Sequence, residues 1–362
     1  MSNEAWVLGA TGRTGSAVAA RLHAQGTPLV LVGRNRERLE TVAAGLDGTP
    51  QIMAGPLAAA LAGLRRAAPA VVVSTVGPFT TTSAEVAGAC PPGTHYVDVA
   101  NELPAVEHLL GLDRRAAAKG QILVTGAGFG VLATESVLLR LCQDRPPAAE
   151  VRVDAVASVA TEPGVLGAAL AATIVQSLSY GGRQVRRGRL VRTGLGADLV
   201  RLTTPAGDVV TTGSAPSGEL LAAWRASRAQ TVVAASSEAP AGALARLAMP
   251  AVSALLRVPA MARFATGRIA AMPTHAKDRP RAHSWAHARA LWPSGQVREG
   301  WLRAGDGMDF TAAVAAEVAL RLARGDGHPG AFTPGALFGP GLAEAAGAEL
   351  LIDHDGASSG RD

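Results

Sequence analysis

The first fifteen residues constrain the fold more than any other stretch. Trp6-Val7-Leu8 is a short apolar run of the kind that forms a buried parallel strand. Gly9, Gly12 and Gly15 follow at three-residue spacing, and Ser16 to Leu22 then reads as a helix. Strand, glycine turn and helix in that order make a phosphate cradle. Gly9 would allow the tight turn, Gly12 the approach of backbone N–H groups to a pyrophosphate, and Gly15 close packing of helix on strand. The helix N-terminus adds free amides and the positive end of a dipole. The turn Gly9-Ala10-Thr11-Gly12-Arg13-Thr14-Gly15 is therefore a candidate dinucleotide site. Its bare alternative is a turn that binds nothing.

A second apolar strand, Pro28 to Gly33, runs into Arg34-Asn35-Arg36-Glu37-Arg38. Sites selective for NAD carry an acidic residue near this strand end, for the ribose 2′-hydroxyl. Here Gly33 is followed by Arg34 and Asn35, with Arg38 one helical turn on. Arginine suits a 2′-phosphate, so the expected cofactor is NADP(H). The plain alternative is a solvated helix start. Ala70 to Val76 is a strong buried strand that contains Ser74 and runs into Gly77-Pro78-Phe79. A Gly-Pro break at the carboxyl end of a central strand lies where open parallel sheets bind ligands. Thr94 to Glu102 reads as the next strand, its end carrying Asp98, Asn101 and Glu102 into the same crevice, with Tyr96 at a strand position that reads as half-core. Helix is expected over Ser83 to Cys90 and over Pro104 to Lys119. Gln121 to Thr125 is a further strand, and Gly126-Ala127-Gly128-Phe129 opens the turn after it.

From Glu150 the pattern becomes α+β. Val151 to Ala160 alternates like a strand with one solvated face. Val165 to Leu178 reads as an apolar helix, and Gln184 to Val191, Asp198 to Thr204 and Asp208 to Thr212 as short strands. Leu244 to Met272 is apolar, interspersed with Arg246, Arg257, Arg263 and Arg268 and broken by Pro250 and Pro259. Two or three short amphipathic helices are expected there. The favoured role is domain core and dimer contact, giving a homodimer through the second domain. The rival is a wall for a greasy substrate or a membrane surface. His275, His283 and His287 follow in a polar stretch, but no zincin pattern links them, and no metal site is expected.

Composition narrows the partners. Of 34 Lys+Arg only Lys119 and Lys277 are lysines, and aromatics are 4%. Scattered arginines with so few stacking side chains fit an anionic cofactor better than nucleic acid. Cys90 and Cys142 form no CxxC or disulfide framework, which with an N-terminus lacking a leader pattern suggests the cytoplasm. The uncharged run from Pro163 to Gly182 is too polar for an integral membrane span.

Taken together these motifs resemble the saccharopine dehydrogenase-like oxidoreductases, including the group called trans-acting enoyl reductases. The resemblance rests on the opening turn, on Val76-Gly77-Pro78-Phe79, and on Gly93-Thr94-His95-Tyr96-Val97-Asp98 with Glu102. Gly126 to Phe129, Asp309-Phe310-Thr311-Ala312, and Gly330-Ala331-Phe332-Thr333-Pro334 with Leu337-Phe338-Gly339 complete it. Asn101 departs from it, standing where the family usually has glycine. So does Pro273-Thr274-His275-Ala276-Lys277, where a Gly-Pro-Ser element would fall. The implied architecture is α/β, a Rossmann-type doubly wound parallel sheet with a second α+β domain inserted before the C-terminal helices. The expected division is 1–145 for NADP, 146–305 for substrate and dimerisation, 306–352 as a helical segment packing back on the first domain, and 353–362 as a tail.

The implied chemistry is NADPH-dependent reduction of a C=C bond in a fairly apolar small-molecule or carrier-bound substrate. The alternatives are a C=N reductase of amino-acid-like substrates, with a carboxylate clamp from Arg183, Arg186 and Arg187, and a non-catalytic NADP-binding regulator. Neither Tyr96 nor Tyr180 has a lysine four residues on, which excludes the usual short-chain dehydrogenase arrangement. Tyr96, Asp98 and Glu102 are left as the catalytic candidates. The structural reading of Asp98 and Glu102 is as a helix cap and a residue near a helix N-terminus.

Overall fold

The computed structural model describes residues 2–46 and 50–352, so the tail expected at 353–362 lies outside the described residues. The first lobe alternates strand and helix. It runs β1 (Ser2–Leu8), α1 (Arg13–Ala24), β2 (Leu29–Gly33), α2 (Arg36–Ala44), β3 (Gln51–Ala54), α3 (Leu57–Ala67) and β4 (Pro69–Ser74). It continues with α4 (Phe79–Ala89), β5 (His95–Asp98), α5 (Leu103–Leu110), α6 (Asp113–Ala118), β6 (Ile122–Val124) and α7 (Phe129–Cys142). The second lobe holds β7 (Glu150–Val156), β8 (Gly164–Val165), α8 (Ala168–Tyr180), β9 (Gly182–Arg186), β10 (Arg189–Thr193), β11 (Val200–Thr203) and β12 (Val209–Ser214). Then come α9 (Gly218–Ser227), β13 (Thr231–Ser236), α10 (Ala243–Leu256), α11 (Pro259–Ala270), β14 (Pro273–Thr274), β15 (Ser284–Leu291) and β16 (Val297–Ala304). The chain closes with α12 (Gly307–Ala323), β17 (Gly330–Phe332), α13 (Pro334–Phe338), α14 (Gly341–Ala345) and β18 (Glu349–Ile352).

The first sheet is parallel throughout, in the order β17-β6-β5-β4-β1-β2-β3. The order reverses direction at β1 and β4, and this switch point opens a crevice at the strands' carboxyl ends. The expected α/β class is therefore observed. The second sheet is mixed, in the order β10-β9-β13-β7-β15-β16-β18, with the β11–β12 hairpin joined to β13. The closing segment is not wholly helical, nor does it all return to the first lobe. Gly330–Phe332 adds a strand beside β6, whereas Glu349–Ile352 pairs with β16 of the second sheet.

Helix α7 joins the two lobes. Its sequence is apolar almost all round, and ten of its fourteen residues are buried. One core runs from Val7, Val73 and Val97 through Leu132, Leu138 and Leu141 to Val153, Ala286 and Leu302. Three local expectations differ from what forms. The helix after Pro78 starts at Phe79, the stretch from Pro104 to Lys119 splits at Gly111-Leu112, and the strand expected over Gln184 to Val191 is a hairpin turning at Arg187-Gly188. Both turn residues have positive φ, at 52° and 65°.

Candidate functional site

The opening turn has the backbone its glycines call for. Gly9 sits at φ +81°, and a Cβ there would lie 2.5 Å from Thr75 Oγ1. A Cβ on Gly15 would lie 2.2 Å from the carbonyl oxygen of Gly9, so α1 crosses the turn closer than any other residue permits. Gly12 is different. It is exposed, and its nearest neighbour to an added Cβ is the Gly9 oxygen at 3.4 Å. Gly12 N–H donates back to that oxygen at 2.9 Å, and Ser16 N–H makes the first bond of the helix ladder, to Gly12. The amides of Arg13, Thr14 and Gly15 thus have no helical partner, no side chain caps them, and no acidic residue stands in the first turn.

Through Gly9, Thr11 and Gly12 the turn borders a cavity of about 480 Å³, whereas Ala10, Arg13, Thr14 and Gly15, also expected at the cofactor, are not among its lining residues. On one side it is lined by Gly33, Arg34, Gly55 and Leu57, and on the other by Thr75, Val76, Gly77 and Pro78. Ala168 and Ala169, the first residues of α8, roof it from the second lobe. Gly9, Thr11, Gly12, Gly33, Arg34, Val76, Gly77 and Pro78 are therefore brought together as the sequence suggests.

Other expected cofactor residues are engaged elsewhere. Asn35 accepts from Arg38 N–H at 2.9 Å as the cap of α2, and Arg38 lies outside the cavity. Arg13 reaches across the cleft instead of turning to the cradle. Its guanidinium donates to the Ala160 carbonyl at 2.8 Å, pairs with Asp306 at 3.2 Å and approaches Glu162 at 3.5 Å. Asp306 also caps α12 through Met308 and Asp309. Burial opposes its charge, but the N–H groups of Ala160, Met308 and Asp309 and the nearby Arg13 outweigh that and lower its pKa. Ser74 is fully buried, and Phe79 packs into the core at the start of α4. Gly126, Gly128 and Phe129 are buried too, Gly126 against Val131 and the other two against Thr311 of α12, whose hydroxyl accepts from Phe129 N–H.

The structure moves two of the three catalytic candidates out of the crevice. Asp98 and Tyr96 are both fully buried. Asp98 accepts five hydrogen bonds, from Ser83, Tyr96, Thr125, Ala100 N–H and Gly126 N–H, at 2.7 to 3.2 Å. Burial raises its pKa and the donors restrain the rise. Burial and then the Asp98 charge push the Tyr96 phenol well above its ordinary value. This knot ties β5 to α4 and to the turn after β6, and every oxygen of it is occupied.

Glu102 stays. It lines a second cavity of about 240 Å³ with Thr80, Leu103, Pro104, Gln176, Tyr180 and Pro216. Its carboxylate accepts from Thr173 Oγ1 on α8 at 2.7 Å and from Asn101 N–H at 3.2 Å. Thr80 donates to Gln176 at 2.7 Å, fastening α4 to α8 beside it. Both cavities thus lie along α8, one at its first turn and one at its last. Asn101, the departure from the glycine pattern, binds Glu219: its amide donates to Oε1 at 3.2 Å and its oxygen accepts Gly218 N–H at 3.1 Å. Glu219 is buried, and burial raises its pKa.

Sequence reasoning missed Glu219, Thr173, Gln176 and Tyr180. Ser217-Gly218-Glu219 before an apolar run carried a helix-start signal for α9, whereas nothing local marked α8 as a roof. Of the three arginines expected to act together, Arg186 and Arg187 line one pocket with Arg189, and Arg183 stands apart from them. Arg183 lines a third cavity, of about 230 Å³, with Tyr180, Arg192 and Arg257. Arg186 bonds to Gln184, and Arg187 is in the hairpin turn. Arg183 is 8% exposed, stacks 4.1 Å from the Tyr180 ring centroid and donates to the Gly182 carbonyl. His287 is buried on the second sheet, 3.1 Å from Asp154.

No protein-family model and no curated protein matches the sequence. Among solved structures, apo saccharopine dehydrogenase (L-Glu forming) from Saccharomyces cerevisiae aligns with 96% of this chain and 99% of its own, at 11% identity and TM-score 0.59. The two chains share a fold. The alignments to a short-chain dehydrogenase from Sphingobium yanoikuyae in complex with NADPH (19% identity, TM-score 0.29) and to YwfH, an NADPH-dependent reductase involved in bacilysin biosynthesis (11%, 0.31), each cover 34% of this chain. They cover 70% and 76% of those chains respectively.

Proposed function

We propose that this chain is an NADP(H)-dependent oxidoreductase that reduces a C=C bond of a fairly apolar substrate. The observation that carries the reading is the pair of cavities under one helix. The first has the open Gly12 cradle and Arg34 at the place of the acidic residue of NAD sites. The second begins where the first ends, at Pro78 and Thr80, and holds Glu102. The cradle amides would hold a pyrophosphate, and Arg34 a 2′-phosphate. The cofactor would supply the hydride. The protein's part would be to orient the substrate and limit its contact with water, and α8 contributes to both cavities by lining each of them. Glu102 and Tyr180 are the ionisable groups lining the second cavity among the described residues, so they are the groups placed to hold or pass a proton there.

One observation favours the imine reading. Arg183, Arg192 and Arg257 surround the cavity on the far side of Tyr180, with no carboxylate among its lining residues. An anionic group on the substrate would be held there. Stopped-flow NADPH oxidation against enoyl thioesters and cyclic imines separates the two readings. Turnover of an enoyl thioester is the expected result. Turnover of imines alone would replace it with the second reading. Tight NADPH binding with no turnover of either would overturn both in favour of a regulator.

A further inference from the structure

The large apolar side chains most open to solvent are gathered in one lobe. Leu244 and Leu247 are 84% and 80% exposed, and Leu255, Val258, Phe264 and Met272 are each about half exposed or more. On α10 the residues Leu244, Leu247, Ala251 and Leu255 recur at steps of three and four, which puts them in one outward stripe, and Val258 follows at the bend before α11. Helix α10 buries only Ser253 and Leu256, and α11 buries none of its side chains. The expectation of domain core for this segment is thus overturned: these helices give little to the core and keep an apolar face in water.

Charge says what covers that face. From Ala239 to Lys277 there is no Asp or Glu, while Arg246, Arg257, Arg263, Arg268 and Lys277 are all cationic. A second copy laid on the stripe would bring like charges together. No single helix among the described residues is long and apolar enough to cross a membrane, and α10 and α11 meet at a bend of 115°. Short apolar helices flanked by arginine suit the boundary between headgroups and acyl chains.

We infer that α10 and α11 dock this protein on an anionic lipid bilayer. The stripe enters the acyl boundary while the arginines meet the negative headgroups. The docked face lies next to the cavities along α8, because α10 and α11 pack on α8 and because Met249, Pro250 and Ser253 of α10 line the arginine cavity. The inference does not rest on the oxidoreductase reading and is tested without cofactor.

The experiment is flotation of the full chain with vesicles of phosphatidylcholine alone and of phosphatidylcholine with about 30% phosphatidylglycerol. The protein is expected to float with the anionic vesicles and to remain behind with the neutral ones. Replacing Leu244→Glu, Leu247→Glu and Phe264→Glu together should weaken binding by at least about tenfold, since the stripe no longer enters the acyl boundary. Arg263→Gln with Arg268→Gln should also weaken it by on the order of tenfold, because each basic side chain near the surface adds several-fold affinity. Neither variant touches the core, and unchanged circular dichroism and melting confirm the fold. If the triple variant does not fold, the arginine pair carries the test alone. No flotation with anionic vesicles would overturn the inference, as would flotation undiminished in the folded variants. Light scattering that shows a lipid-free dimer, lost in either variant, would assign the stripe to a second copy instead.

Discussion

Gly12 and Gly15 stand three residues apart in one turn, yet substituting each with alanine should do opposite things. At Gly15 the new methyl would lie 2.2 Å from the Gly9 carbonyl oxygen and 2.9 Å from Thr75 Oγ1. Both neighbours are held: Gly9 by its bond to Val32 and Thr75 by its bond to the Leu8 carbonyl, each at 2.9 Å. The clash is with backbone, so α1 must slide off β1, at a cost of roughly 1–3 kcal/mol or more. At Gly12 the nearest atom is 3.4 Å away, and φ −85° with ψ 159° is open to any residue. Alanine there should alter stability by no more than about 1 kcal/mol, the weaker capping offset by a stiffer unfolded chain. Its methyl would nevertheless occupy the space through which a phosphate approaches the amides. Losing one or two charge-assisted bonds costs at least about 2 kcal/mol, or roughly thirtyfold in NADPH affinity. Thermal melting and NADPH fluorescence titration measure the two effects separately. Gly12→Ala should melt like the parent and bind poorly, and Gly15→Ala should melt early. A Gly12→Ala protein that binds NADPH as the parent does would refute the placement of the pyrophosphate.

Arg34→Glu should weaken NADPH at least about tenfold relative to NADH in paired titrations, because a carboxylate would face the 2′-phosphate; equal loss for both would remove Arg34 from that role. Glu102→Gln should lower kcat on the best substrate by about a hundredfold while NADPH affinity stays within about twofold, and an unchanged kcat would take Glu102 out of the chemistry. Glu135 gives a pH test. Burial raises its carboxyl to about 7, against partial relief from Thr333 and the N–H groups of Gly335 and Ala336. Its folded pKa lies above the unfolded value, so the proton-linked stability is complete below about pH 4.5 and lost as pH rises through about 7, some 3 kcal/mol in all. Glutamine can bond to the same partners without titrating. The stability of Glu135→Gln relative to the parent, from urea unfolding, should therefore climb by about that amount from about pH 4.5 to about pH 8. Parallel profiles would refute the assignment.

The parallel sheet was legible because buried parallel strands are continuous apolar runs, as at Val30 to Val32 and Val71 to Val73, and because Gly9 and Gly15 leave no steric choice. The roof was not. Helix α8 reads as an ordinary apolar helix, and its placement over the crevice depends on long-range partners, Thr173 with Glu102 and Gln176 with Thr80. Arg13 misled for a related reason. An arginine in a phosphate turn looks like a ligand contact, but the Asp306 that holds it lies 293 residues on. The second lobe's exposed helices were misjudged because an apolar segment has the same composition whether it faces a core or a surface.

Three buried carboxylates show what distinguishes a site from a support. Asp98, Glu102 and Glu219 are all at least nine-tenths buried, so burial does not separate them. Acceptor capacity does. A carboxylate offers about four lone-pair sites. Asp98 has five donors around it and nothing left to offer a substrate. Glu102 has two, from Thr173 and Asn101, and faces a cavity. Glu219 has an Oε2 with no hydrogen-bond partner, but its Oε1 faces Gly130 and Asn101, and it lines neither of the two cavities along α8. Of the three, Glu102 alone combines spare acceptor capacity with room for a ligand. On this criterion a substrate polar group or a water would reach Glu102 by taking the sites that Thr173 and Asn101 leave open, and Thr173→Val, by freeing one more, should shift KM before it shifts kcat.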